Sequence, residues 1–142
     1  MSEAAQKFDF ELVSPERRLM SEKAWQVTIP GFEGDFGVRA GHSSVVSSIR
    51  PGVVEIVTEQ GAKPSKIFIA GGFADVTATN CTVLAEEATM VADLDQAIIE
   101  KEIADLENKL SSTKDGIELS RYTKQLDLAK AKLTAITGAL HV

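Results

Sequence analysis

Alternating apolar runs up to about residue 91, Gly and Pro between them, and a switch to three-and-four spacing after Asp93 predict an all-β N-terminal sandwich followed by an α-helical hairpin. The sandwich is expected over residues 1–91 as a flattened barrel, and the antiparallel two-helix hairpin over 92–142. In the first region, "FDFELV" alternates Phe8, Phe10 and Leu12 with Asp9 and Glu11, and "AWQVTIP" alternates Trp25, Val27 and Ile29 with Gln26 and Thr28. Half-buried strands read this way. Further strand-like runs are "SSVVSSI", "GVVEIVT", "SKIFIA", "FADVTA" and "CTVLAEEA", punctuated by "RPG", "EQGAKPS", "AGG" and "TN". Beyond Asp93, which is placed to cap a helix with Gln96 three residues later, Ile99, Ile103, Leu106 and Leu110 form one stripe. "SSTKDG" ends that helix. A second follows from about Ile117 to Thr137, with Leu119, Tyr122, Leu126, Ala129, Leu133, Ile136 and Leu140 along its seam. Each stripe needs only one apolar partner, so a permanently folded hairpin and a hairpin with two homes are both compatible with the residues.

The 142 residues suit one ordinary domain with an appendage, and no apolar run approaches the roughly 20 residues of a membrane-spanning helix. "MSEAAQKFDF" has no secretory pattern, so a cytosolic location is expected. The lone cysteine, Cys81, falls in an apolar run and reads as a buried, inert thiol. A net charge of −6 speaks against a nucleic-acid partner. Against that acidic background, the last helix gathers Arg121, Lys124, Lys130 and Lys132 with only Glu118 and Asp127 to offset them.

"PGFEGDFGVRAGHSSVVSSIRPG", residues 30–52, is the densest candidate for a site. Its glycines match no phosphate-loop spacing, and strand-like rather than helical sequence follows them. His42 lacks companions at metal-ligand spacing and lies in no nucleophile-elbow pattern, so neither metal nor catalytic residues are expected. What the stretch does suggest is turns that leave Glu33, Asp35, Phe36, Arg39 and His42 projecting as a docking surface. Gly71 and Gly72 interrupt a strand in "IAGGFADVT", which marks a bulge or the close approach of another backbone, with a partner protein's backbone one possibility.

Taken in order, "VSPER", "IPGFEGDFGV", "AGH", "RPGVVEI", "IAGGFADVT" and "VLAEEA", followed by a helical hairpin, resemble the epsilon subunit of the bacterial F-type rotary ATP synthase, a family shared with chloroplast epsilon and mitochondrial delta subunits. The resemblance implies a ten-stranded sandwich and a non-catalytic rotor subunit without cofactors. It would sit at the foot of the central stalk on the cytoplasmic face of the bacterial membrane, peripheral and membrane-associated only through the complex. It would join the gamma subunit to the polar loops of the c-ring. The family's ring-facing turn corresponds to Glu33, Asp35, Phe36, Gly37, Arg39 and His42, and Gly71, Gly72 and Phe73 are candidates for gamma. The hairpin is implied to extend toward the alpha and beta subunits and block hydrolysis, with Arg121, Lys124, Lys130 and Lys132 meeting acidic beta segments. Two departures stand out. Arg39 and Ala40 replace a Leu-Pro or Tyr-Pro pair before Gly-His, and the nucleotide pattern [IL]DxxRA matches at Leu94 and Asp95 but is broken by Ile98 and Ile99, so no nucleotide binding is expected.

Overall fold

The computed structural model describes residues 6–138; the first five residues, and Leu140 and His141 at the other end, lie outside the described residues. The chain divides into two compact units, one ending at Met90 and the other beginning at Val91.

The first unit contains ten strands in one curled sheet. They are β1 (Phe8–Val13), β2 (Arg18–Ala24), β3 (Gln26–Gly31), β4 (Gly34–Val38), β5 (Val45–Ile49), β6 (Gly52–Val57), β7 (Ser65–Ile69), β8 (Gly72–Val76), β9 (Asn80–Ala85) and β10 (Ala88–Met90). The strand order is β10-β7-β6-β3-β5-β8-β9-β1-β2, with β4 paired to β3 alone. Only β1 and β9 run parallel; the other pairings are antiparallel. Period-two alternation turns Phe8, Phe10 and Leu12 of β1 inward to meet Val27, Ile29, Val54, Ile56, Val76 and Val83 in one core. Each large side chain so buried contributes about 2 kcal/mol, which is why the alternation decides the fold. Cys81 lies in this core, fully buried, and desolvation together with the nearby Asp75 charge pushes its thiol up to about 12.

Seven of the ten strands coincide with alternating runs in the sequence; β2, β4 and the three-residue β10 do not. The edge strand β2 buries only Ala24, with Met20 partly packed, and so carries no apolar alternation. Two glycines and an aspartate in β4 hide its pattern. The run "CTVLAEEA" breaks at Glu86 and Glu87, where β9 gives way to β10. Trp25, read as a strand residue, falls in the break between β2 and β3 and is half-buried.

In the second unit, a short 3-10 turn (Val91–Asp93) precedes α1 (Gln96–Ser112) and α2 (Gly116–Gly138). The cap of α1 is Asp95 rather than Asp93: its backbone is extended and its Oδ1 accepts from the N–H groups of Ala97 and Ile98 at 3.0 and 3.2 Å. Asp93 is consumed in the 3-10 turn, closed by the Leu94 N–H donating to the Val91 carbonyl. The expected six-residue connection is also shorter, residues 113–115, because Ser111 and Ser112 continue α1 and Asp115 caps α2 through the Ile117 N–H at 3.0 Å. Leu106, Leu126 and Ala129 close the seam, flanked by Ile103, Leu110 and Tyr122. Lys109 from α1 and Arg121 from α2 both lie over the Tyr122 ring, at 5.6 and 5.3 Å from its centroid.

Candidate functional site

The glycine-rich stretch builds a two-residue hairpin. Gly31 of β3 pairs with Gly34 of β4, leaving Phe32 and Glu33 at the tip. A Cβ on Gly31 would stand 2.6 Å from the Gly34 carbonyl oxygen and 2.9 Å from the Phe36 ring, so only glycine lets the hairpin close this tightly. Arg50 clamps the base: its guanidinium donates to the Gly31 carbonyl at 2.7 Å and to the Asp35 carboxylate, while its backbone N–H donates to Pro30. Across from the tip, β5 is tied to it by the Phe32 N–H donating to Ser48 at 2.9 Å. Between them lies an open groove of about 740 Å³, walled by Phe32, Glu33 and Phe36 on one side and by His42, Val45 and Val46 on the other.

The residues expected to project here are sorted differently by the structure. Glu33 is exposed at the tip. Asp35 is exposed but already ion-paired with Arg50. Phe36 does not project: it is half-buried and packs on the sandwich core because hairpin register turns it inward beside Ile29. Gly37 is an exposed strand residue of β4. Arg39 also does not project, since its guanidinium lies over the Trp25 indole, 3.9 Å from the ring centroid. His42 is half-buried and faces the Phe36 ring at 6.4 Å between centroids; its Nδ1 lies 2.6 Å from the Ser43 carbonyl oxygen. A carbonyl can only accept, so Nδ1 is the donor in this contact. Two residues not singled out in the sequence carry the exposed apolar surface: Phe32, 75% exposed, and Val46, 71%. The signal for Phe32 was present in "GFEG", two glycines spaced to close a hairpin with Phe at its apex.

At the second candidate, the close approach expected at Gly72 is real but belongs to this chain. Its missing Cβ would lie 1.9 Å from the Leu84 carbonyl oxygen of β9, so the neighbouring strand supplies that approach. Gly71 is buried; Phe73 is exposed. Pairing aligns Ser48, Phe73, Leu84 and Val13 in one row across β5, β8, β9 and β1, on the sheet face away from the core. Val46 of β5 shares that face, so the apolar row and the groove meet at β5.

On α2, Arg121, Lys124 and Lys132 fall within about 80° of the helix circumference at ~100° per residue, and Lys130 lies on the far flank. The four cations therefore do not share one face. Ile98, in the broken nucleotide pattern, is 65% exposed, and the Asp95 carboxylate is committed to the helix cap. Among the described residues, no helix is long and apolar enough to cross a membrane, and no three His, Cys, Asp or Glu side chains gather as a metal would require.

The family profile described as "ATP synthase, Delta/Epsilon chain, beta-sandwich domain" matches residues 7–91, which is the strand-bearing unit just described. The chain belongs to this family. Similarity to the family's members extends through the helices. The ATP synthase epsilon chain of Afipia carboxidovorans is 44% identical, with 92% of this chain and 95% of that one aligned. Epsilon chain 1 of Nitrobacter hamburgensis is 46% identical over 94% and 98%. Among solved structures, a chain in the cryo-EM structure of the Euglena gracilis mitochondrial ATP synthase OSCP/F1/c-ring in rotational state 1 superposes with a TM-score of 0.80 at 25% identity, covering 95% of this chain and 82% of that one. A chain of the Tetrahymena thermophila mitochondrial ATP synthase central stalk/c-ring shares the fold, with a TM-score of 0.59 at 16% identity over 94% and 96%.

Proposed function

We propose that the chain is a non-catalytic rotor subunit at the foot of the central stalk of a proton-translocating ATP synthase. The hairpin tip and groove, with Phe32 and Glu33 foremost, meet the polar loops of the c-ring. The apolar row through Phe73 and Leu84 seats the gamma subunit. The helical hairpin reaches the alpha and beta subunits through Arg121, Lys124 and Lys132 and restrains hydrolysis. The subunit is peripheral, on the cytoplasmic face of the bacterial membrane, and is held there by the complex.

The observation that carries this reading is a large aromatic, Phe32, exposed at the apex of a hairpin whose base is clamped by Arg50. An apolar side chain held so rigidly in solvent is suited to transmit force to a partner, since little contact energy is lost in ordering it. The kinship with epsilon chains and the likeness to a chain of an OSCP/F1/c-ring assembly support the choice of partner.

In the whole complex reconstituted in lipid vesicles, Phe32→Asp is expected to lower protons pumped per ATP hydrolysed by about threefold or more, since a charge replaces the aromatic anchor of the contact. A ratio equal to that of the unsubstituted complex would exclude Phe32 from the coupling contact.

A further inference from the structure

The six residues between β4 and β5 carry His42 and form one wall of the groove, yet they contain no regular structure. Ala40 packs on the sandwich core and the His42 ring meets Phe36, and three further contacts set the course of the loop. The Gly41 N–H donates to the Ala78 carbonyl at 2.8 Å, and the His42 N–H closes a turn onto the Arg39 carbonyl at 3.1 Å. The third is the Arg39 guanidinium over Trp25, the side-chain anchor at the first residue of the segment. Trp25 is itself fixed by its backbone N–H donating to Val57 at 2.8 Å.

The stack is not secured by hydrogen bonds: Arg39 Nε and Trp25 Nε1 are both shielded from solvent and neither has a hydrogen-bond partner. What keeps the guanidinium there is its planar face on the indole, an attraction that strengthens as water is excluded. Lysine has no such face and would hold the position poorly. Because the Arg39 carbonyl is also the acceptor that closes the His42 turn, the stack and the placement of His42 share one residue.

We propose that Arg39 is a positioning residue: stacked on Trp25, it fixes the loop that presents His42 opposite the hairpin tip and so sets the width of the groove. The inference rests on the coupling reading of that groove given above.

Trp25 is the only tryptophan in the chain, so acrylamide quenching of the full-length protein reports on whether Arg39 covers it. Quenching and protons pumped per ATP in the reconstituted complex are compared for Arg39→Ala, Arg39→Lys and Phe32→Asp. The expected results are greater quenching and an about threefold lower ratio for Arg39→Ala, with Arg39→Lys intermediate in both. Phe32→Asp should lower the ratio with quenching unchanged. Should Arg39→Ala fail to fold, Arg39→Lys, which keeps the charge and the aliphatic stem, carries the same comparison. Increased quenching with an unchanged ratio, while Phe32→Asp lowers it, would overturn the positioning role and leave the coupling surface standing. Unchanged quenching would overturn the stack. An unchanged ratio in Phe32→Asp would remove the coupling surface, and the inference with it.

Discussion

Alanine at Gly72 is expected to unfold the sandwich or bring it to the edge of unfolding. The glycine has φ of +149°, which L side chains rarely adopt, and the new Cβ would meet three backbone atoms: the Leu84 oxygen at 1.9 Å, the Leu84 carbonyl carbon at 2.9 Å and the Ala85 Cα at 3.1 Å. None of these is the end of a flexible side chain. Moving β9 away would break its antiparallel ladder with β8 and its parallel pairing with β1 at once. The loss is on the order of 4 kcal/mol or more, within a total stability of roughly 5–15 kcal/mol. Urea denaturation reads it as a lowered midpoint. Gly61→Ala is the control, because its φ of +82° is also left-handed but its Cβ direction is open, so only about 1 kcal/mol of backbone strain is expected. A Gly72→Ala midpoint equal to that of the unsubstituted chain would contradict the packing described for β8 and β9.

Ending the chain after Asp93 is expected to raise the ATPase rate of the assembled catalytic complex by about fivefold or more, the scale of a coupling free energy of 1–3 kcal/mol. The sandwich has its own continuous core, from Phe8 to Ala85, so the shortened chain should fold and still bind. The hairpin's helices meet along a narrow seam of Leu106, Leu126 and Ala129, and Arg121 and Lys124 of α2 are exposed cations suited to an acidic partner. Charge reversal at Arg121 and Lys124 should reproduce most of the effect, and reversal at Lys130, on the other flank, much less. High salt should weaken the restraint as well. An unchanged rate with the shortened chain bound would confine function to the sandwich.

Strands whose side chains alternate between core and solvent were legible because burial imposes period two: β1, with Phe8, Phe10 and Leu12 inward, is the clearest. The edge strand β2 was not, since an edge that buries little has no reason to alternate. The helical seam was legible for the same reason as β1, whereas the cap was not: Asp93 and Asp95 are equally good candidates until the 3-10 turn consumes one of them. At the candidate site, the glycines announced turns, and the structure builds a hairpin between Gly31 and Gly34 there. Which aromatic projected depended on hairpin register, which turns Phe36 onto the core and leaves Phe32 at the apex. Arg39 was expected to project because Trp25, the ring it lies over, comes into contact only through the pairing of β3 with β4. The need for a close approach at Gly72 was evident; that β9 of the same chain supplies it was not.

The coupling surface is tested most directly by crosslinking from its apex. Cys81 is fully buried with its thiol pushed up to about 12, so it stays silent toward a maleimide reagent near neutral pH, and Phe32→Cys supplies the sole reactive position. With a short bifunctional maleimide–photoreactive crosslinker on the intact membrane-bound complex, the expected results are a product joining this chain to the ring subunit from Phe32→Cys, and a product with gamma from Phe73→Cys. A ring product from Phe73→Cys, with Phe32→Cys reaching only gamma or nothing, would contradict these placements.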